Sequence, residues 1–246
     1  EQYASRQPRW PQPQGRPSGT TCVWPISPAA LKAPRQRRPP RIAPDDIGTV
    51  VTETVTLRNR TLQFVRPRSI EDLCRHPAVR RAFSSGQYIP YWADLWPSAR
   101  VLADHLLGGG WPVGTRVLEL GCGLGLPGVA ALAAGLDVTF SDFDPTALEF
   151  AARNAELNGF ECCQTLVLDI RVPPRKKFPL ILAADVLYES SLVEPLIRLL
   201  EKMLSPGGLA CWWIRTGIPR LSCAALFPSA DCPSPWRPCS PKRAKG

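Results

Sequence analysis

The 246-residue chain has no apolar run of the roughly 20 residues needed to span a bilayer. It shows no signal-peptide pattern either, so the expectation is a soluble protein without membrane contact. Its nine cysteines include no C-x-x-C pair and no Cys/His cluster at metal-ligand spacing, which removes the common zinc and dithiol readings. Reduced, incidental thiols in a cytoplasmic setting are the simplest expectation. Acidic residues are scarce at both ends: residues 1–44 hold one Glu against eight Arg or Lys, and residues 211–246 hold one Asp against six. The net charge of +9 therefore belongs to the tails, and residues 45–210 carry −3. A slightly acidic centre argues against nucleic acid or an anionic membrane as the partner of the folded part.

Residues 1–45 also lack hydrophobic periodicity, and residues 1–44 contain ten prolines. Such a segment cannot bury enough apolar surface to offset its ordering entropy and is expected to be disordered. The same proline density forbids the amphipathic helix of an organelle transit peptide. The chain starts without Met, which leaves its true start open.

What the chain does contain is a centre of organisation at Val117–Leu132, VLELGCGLGLPGVAAL. A short apolar strand carrying Glu119 runs into a turn with Gly121, Cys122, Gly123 and Gly125, then into an alanine-rich helix. Glycine suits such a turn because the backbone must take positive φ and a ligand must approach the main chain. Read alone, the pattern indicates a nucleotide-type cofactor. Gly123, Gly125 and Gly128 also fit G-x-G-x-x-G, but that register starts two residues after the strand and encloses Pro127. A carboxylate inside an apolar strand is costly unless paired, so Glu119 calls for a cationic partner.

Around this centre the pattern alternates. Thr49–Leu57 and Thr61–Val65 read as a hairpin, and Ser69 as the N-cap of one short helix through Ala82. Pro97 opens a helix whose apolar face includes Val101, Leu102, Leu106 and Leu107. Asp137–Phe140 is a strand ending at Ser141-Asp142, and Pro145–Leu157 a helix closed by Asn158-Gly159. Asp142 lies about twenty residues past the glycine turn, where two carboxylate oxygens would match a ribose hydroxyl pair. Asp144 is the fallback, with a helix N-cap as its plainer role. A third strand, Thr165–Leu168, leads to Asp169, which could simply begin a polar loop. The strand Leu180–Ala184 leads to Asp185-Val186-Leu187-Tyr188, and a helix runs from about Leu192 to Leu204, stopped by Pro206-Gly207-Gly208. These elements compose an α/β domain over residues 46–214, with a Rossmann-like, mostly parallel sheet and helices on both faces.

Three stretches carry a resemblance to a known family. Glu119-x-Gly121-x-Gly123-x-Gly125 is similar to motif I of the class I, seven-β-strand S-adenosylmethionine-dependent methyltransferases. The segment P-Y-W-A-x-x-W-P at Pro90–Pro97 and the D-x-x-Y of Asp185 and Tyr188 resemble the protein-lysine methyltransferase group that includes electron-transfer-flavoprotein β-subunit lysine methyltransferase and its bacterial relatives. The resemblance implies S-adenosylmethionine as cofactor, held by Trp96, Glu119, Gly121, Cys122, Gly123, Gly125, Asp142 and Asp169. It implies that Asp185 and Tyr188 line the methyl-transfer site, with a protein lysine amine as acceptor and a monomeric enzyme. Alternatives are a small-molecule N-methyltransferase, a ribosomal-protein methyltransferase or, from another class, a non-catalytic cofactor-binding or interaction protein. No N-P-P-Y motif stands at the fourth strand of the sheet, which argues against a nucleic-acid methyltransferase.

The C-terminus departs from that family. Two antiparallel strands should complete the sheet, yet residues 215–246 carry six prolines, so the C-terminal strands are expected to be incomplete and the tail irregular. Trp212-Trp213-Ile214, read two nucleotides out of frame, becomes Val-Asp, and permissible codons beyond give Pro-Asp-Arg-Tyr-Pro. A frameshift near residue 211 is one explanation, and an unbroken reading frame confirmed by intact mass would sink it.

Overall fold

The computed structural model describes residues 39–40, 42, 46–84, 88–161 and 163–213. Two strands, β1 (Val50–Leu57) and β2 (Arg60–Pro67), pair as an antiparallel hairpin, with Leu57 opposite Arg60. Two short helices follow, α1 (Ile70–Arg75) and α2 (Pro77–Ser84). Ser69 caps α1 as expected, its Oγ accepting from the Asp72 N–H at 3.0 Å. The single helix read through Ala82 is broken at His76, whose ψ of 130° is the extended geometry that a following proline imposes.

The central sheet has five parallel strands in the order β5-β4-β3-β6-β7, where β3 is Arg116–Leu120, β4 Asp137–Asp142, β5 Gln164–Val167, β6 Phe178–Ala184 and β7 Leu204–Trp213. Alternation along β3 sets the two faces: Val117 joins the core with α3 (Pro97–Leu107), α4 (Leu126–Ala133) and α5 (Pro145–Leu157). Leu118 and Leu120 turn to the opposite face, against Leu196, Leu199, Leu200 and Met203 of α6 (Val193–Met203). The strand order reverses between β3 and β6, so the carboxyl ends of those strands frame the crevice where open α/β sheets take ligands.

Several boundaries differ from expectation. Ile42, inside the segment read as disordered, is 2% exposed, and its carbonyl accepts from the Thr146 hydroxyl. In α3, Leu102 and Leu106 are buried but Val101 is 41% exposed. The helix before Pro206-Gly207-Gly208 stops at Met203, and those three residues enter β7, whose ladder shifts register between Phe178 and Leu180. β7 continues to Trp213, opposite Ala184, so the sequence through Trp213 still serves the sheet. The irregular tail expected at 215–246 lies outside the described residues.

The hairpin is fastened to the helical face by polar contacts. Asn154 of α5 and Asn158, which caps its C-terminus, bond to the main chain of Val65 and Gln63 on β2. Arg58, at the hairpin tip with φ of 52°, donates to the Asp104 carbonyl at 2.8 Å and pairs with its carboxylate at 3.2 Å.

Candidate functional site

The end of β3 is gripped by two carboxylates. Glu119, 2% exposed, points to the α4 side, where its Oε2 accepts from the Gly128 N–H at 2.9 Å. The cation that the sequence called for is thus the partial positive charge of a helix N-terminus. Burial holds the Glu119 carboxyl well above the usual carboxylate range, with the Gly128 N–H opposing and the charge of Asp142 adding to the rise. From the other side, Asp142 at the end of β4 accepts from the Gly123 N–H through Oδ2 and from the Asp144 N–H through Oδ1, each at 2.9 Å. Burial pushes Asp142 up to about 6, while those N–H bonds work against it.

Between the carboxylates the turn runs through Gly121 at φ 57° and Gly123 at φ 51°. A Cβ on Gly121 would lie 2.9 Å from Val186 Cγ1, and one on Gly123 would lie 3.2 Å from the Trp92 carbonyl oxygen. Glycine is therefore required at both positions by φ and by protein neighbours, where the sequence reading assigned the second demand to a ligand. Gly125, with φ of 83°, precedes α4, and its N–H donates to the Cys122 carbonyl at 2.7 Å. Cys122 donates its own N–H to Ser141 at 2.9 Å, and burial raises its thiol well above the ordinary value.

Asp144 takes the plainer of its two roles. It caps α5 by accepting from the Thr146 N–H at 2.8 Å, and its other oxygen accepts from the Tyr88 hydroxyl. Tyr88 in turn accepts from the Trp92 Nε1–H at 2.9 Å. This Trp92–Tyr88–Asp144 chain was not read from the sequence, because Asp144 is remote from Tyr88 and no motif joins them. Its only signal was the aromatic crowding of residues 88–96. Trp92, 7% exposed, is the member of that segment whose backbone packs on Gly123. Trp96 precedes α3, its Nε1–H donating to the Tyr91 carbonyl at 2.7 Å and its ring meeting Tyr91 edge-on at 6.0 Å.

Asp169 follows β5. The Leu168 N–H donates to the Asp142 carbonyl at 2.8 Å, and Asp169 lies two residues past Val167, the partner of Asp142 in the ladder. Its Oδ1 accepts from the Arg171 N–H at 2.9 Å, with the Arg171 guanidinium 3.5 Å away. Past β6, Asp185 adopts φ of 53°, a left-handed conformation that non-glycine residues hold at a cost and that gathers at functional sites. Its N–H donates to the Trp213 carbonyl at 2.9 Å. Because Val186 fills the room beside Gly121, the D-x-x-Y turn is seated directly on the glycine turn. Tyr188 then meets Tyr91, ring centroids 5.4 Å apart.

The structure thus assembles Glu119, the glycine turn and Asp142 at one strand end, with Asp185 and Tyr188 on an adjoining turn and Trp96 linked to Tyr188 through Tyr91. The donor set suits a nucleoside with vicinal hydroxyls: Asp142 has accepting capacity left on both oxygens after its two N–H bonds, and Gly121 is exposed beside it.

A family described as lysine methyltransferase matches residues 92–215. Electron transfer flavoprotein beta subunit lysine methyltransferase of Mus musculus is 35% identical over 109 residues, covering 44% of this chain and 43% of that protein. Ribosomal protein L11 methyltransferase of Pseudomonas aeruginosa (strain LESB58) is 39% identical over 101 residues, covering 39% of this chain and 32% of that protein. The chain spans less than half the length of these relatives. A solved ribosomal protein L11 methylase from Lactobacillus delbrueckii subsp. bulgaricus is similar at 24% identity and a TM-score of 0.40, over 45% of this chain and 56% of that one. The family match takes in Trp92 and Trp96 of the aromatic segment, the glycine turn, both gripping carboxylates and the D-x-x-Y turn, half of the sequence in one continuous stretch, and the chain belongs to the lysine methyltransferase family.

Proposed function

We propose that this chain transfers a methyl group from S-adenosylmethionine to a lysine amine of a protein. The observation that carries the reading is the seating of the Asp185–Tyr188 turn on Gly121, which joins a nucleoside-type turn to a polar, aromatic wall at one sheet edge. S-adenosylmethionine, when bound, supplies an electrophilic methyl carbon on a sulfonium. Asp142 would accept from its hydroxyl pair and the exposed main chain at Gly121 would help hold it, while Glu119, bonded to the Gly128 N–H, keeps α4 and the turn in register. Trp96, Cys122, Gly123, Gly125 and Asp169 complete the surround.

A lysine amine is a nucleophile only when neutral, and with a reference pKa of about 10.4 its deprotonation at neutral pH costs roughly 4 to 5 kcal/mol. A nearby carboxylate favours the ammonium, so Asp185 serves to recruit and orient the incoming cation and not as a strong base. Tyr188 is a wall beside it. Alignment of amine, carbon and sulfur does the rest of the work.

Calorimetry with S-adenosylmethionine, followed by transfer of radiolabel from the cofactor to protein in a cell lysate, tests the reading. Binding is expected, as is label recovered as methyllysine and lost in Asp185→Ala with cofactor affinity kept within a few-fold. A chain that binds no cofactor would overturn it. The likeness to ribosomal protein L11 methyltransferase favours a protein acceptor more broadly, and label recovered in other amines would support that second reading.

A further inference from the structure

Among the described residues, the large hydrophobic side chains that remain exposed are scattered aliphatics and two tyrosines, Tyr91 at 40% and Tyr188 at 55%. The two tyrosines come from distant parts of the chain and are in contact, centroids 5.4 Å apart and planes tilted by 51°. Two partly exposed rings tilted at such an angle form a corner, and Trp96 meets Tyr91 edge-on at an interplanar angle of 68°. Tyrosine rings carry an apolar, quadrupolar face beside a polar tip, which suits them to contacts with a partly hydrated guest. The corner adjoins Asp185, three residues before Tyr188, in its left-handed turn.

We propose that Tyr91 and Tyr188 form a cation-binding corner that receives the alkylammonium head of the substrate, Tyr91 supplying recognition and no chemistry. Aromatic faces attract ammonium groups through the ring quadrupole, and they favour methylated ammonium because it is more weakly hydrated. The charges around the corner agree with a cationic guest. After burial, the negative charges of Glu189 and Asp142 are the main influences raising the Tyr188 phenol, with Arg171 opposing. The corner thus holds an amine that already carries methyl groups as well as an unmodified one. This inference rests on the methyl-transfer reading, and deepens it by naming what the acceptor must present.

The test uses the full chain saturated with S-adenosylhomocysteine, titrated with choline and with its neutral isostere 3,3-dimethylbutan-1-ol, binding being read by NMR shifts of the methyl protons. Choline is expected to bind about tenfold more tightly than the isostere. Tyr91→Ala should erase that preference, and Tyr91→Phe should keep it within about threefold because the ring face is retained. Equal binding of the two probes, preference surviving in Tyr91→Ala, or Tyr91→Phe failing as badly as Tyr91→Ala would each overturn the corner. Calorimetry with S-adenosylhomocysteine on the same samples separates the two readings: if the nucleoside binds and choline does not, the corner falls alone, and if neither binds, both fall.

Discussion

Asn154 treats Val65 as a neighbouring strand would: its Oδ1 accepts the Val65 N–H at 2.7 Å and its Nδ2 donates to the Val65 carbonyl at 3.2 Å. The same Nδ2 donates to the Leu124 carbonyl at 3.0 Å, inside the glycine turn. One fully buried amide thus ties the hairpin, α5 and the glycine turn together. One turn later Asn158 repeats the pairing with Gln63 in an exposed setting.

Asn154→Ala is accordingly expected to cost about 2 to 4 kcal/mol, because it strands main-chain groups at Val65 and Leu124. Asn154→Asp should be worse, since it loses both donations and sets a carboxylate against two carbonyls. Asn158→Ala should cost less than about 1 kcal/mol where water can replace the amide. Urea unfolding of the three variants gives the ranking, and equal losses at 154 and 158 would contradict it.

The pH dependence follows from Asp142, which burial raises to about 6. A carboxyl with a raised folded-state pKa contributes stability that is full below its unfolded value of about 4 and is lost as pH rises through its folded value. Glu119 and Asp144 are raised as well and act with the same sign. Binding of a hydroxyl pair needs the carboxylate, so nucleoside affinity should rise over the window in which the unliganded fold weakens. Melting temperatures between pH 4 and pH 7, with and without S-adenosylhomocysteine, are expected to diverge as pH increases. In Asp142→Asn both trends should flatten, and an unchanged slope would show that another group is responsible.

Asp185→Gly is expected to separate stability from turnover. The φ of 53° at Asp185 suits glycine, so Asp185→Gly relieves strain while increasing the entropy lost on folding. Denaturation should find stability unchanged or raised by up to about 1 kcal/mol, with methyl transfer lost. Retained turnover would remove the carboxylate from the reaction, and a large loss of stability would mean that it holds the fold instead.

What could be read from the sequence was local. The bounds of α5 match the expected Pro145–Leu157 because Asp144 caps it, Pro145 occupies its first turn, and Gly159 takes φ of 86° just beyond it. The glycine turn and its two flanking carboxylates were legible for the same reason, their partners lying within one β-α-β unit. The direction in which Glu119 points was not, since a helix N-terminus as counter-charge appears only when α4 folds back over the strand. The asparagine clasps and the Tyr91–Tyr188 contact join segments remote in sequence, and no periodicity encodes such pairs. Pro206-Gly207-Gly208 reads as a helix stop, but α6 ends ahead of it at Met203 and the three residues fall in the irregular stretch of β7 between its pairings with Phe178 and Leu180, which depends on tertiary contact with β6.

Tyr88 offers the sharpest test of how the aromatic segment serves the site. Tyr88→Phe removes one hydroxyl, so Asp144 loses a donor and Trp92 Nε1 loses an acceptor in a largely buried place, a cost of about 1 to 3 kcal/mol. The penalty should depend on pH. Burial raises the Asp144 carboxyl and the Tyr88 bond holds it down, so removing that bond raises the folded-state pKa further. A higher folded pKa means more stability lost as pH rises through it, and the gap between wild type and Tyr88→Phe should therefore widen from pH 4 to pH 8. Because the Asp144 N–H donates to Asp142 Oδ1, a loosened cap should also weaken nucleoside binding a few-fold while leaving choline's preference over its neutral isostere intact. Unfolding free energies measured across that pH range decide the matter: a constant penalty would make the hydroxyl a packing contact only, whereas a widening one makes Tyr88 the residue that keeps the α5 cap ionised.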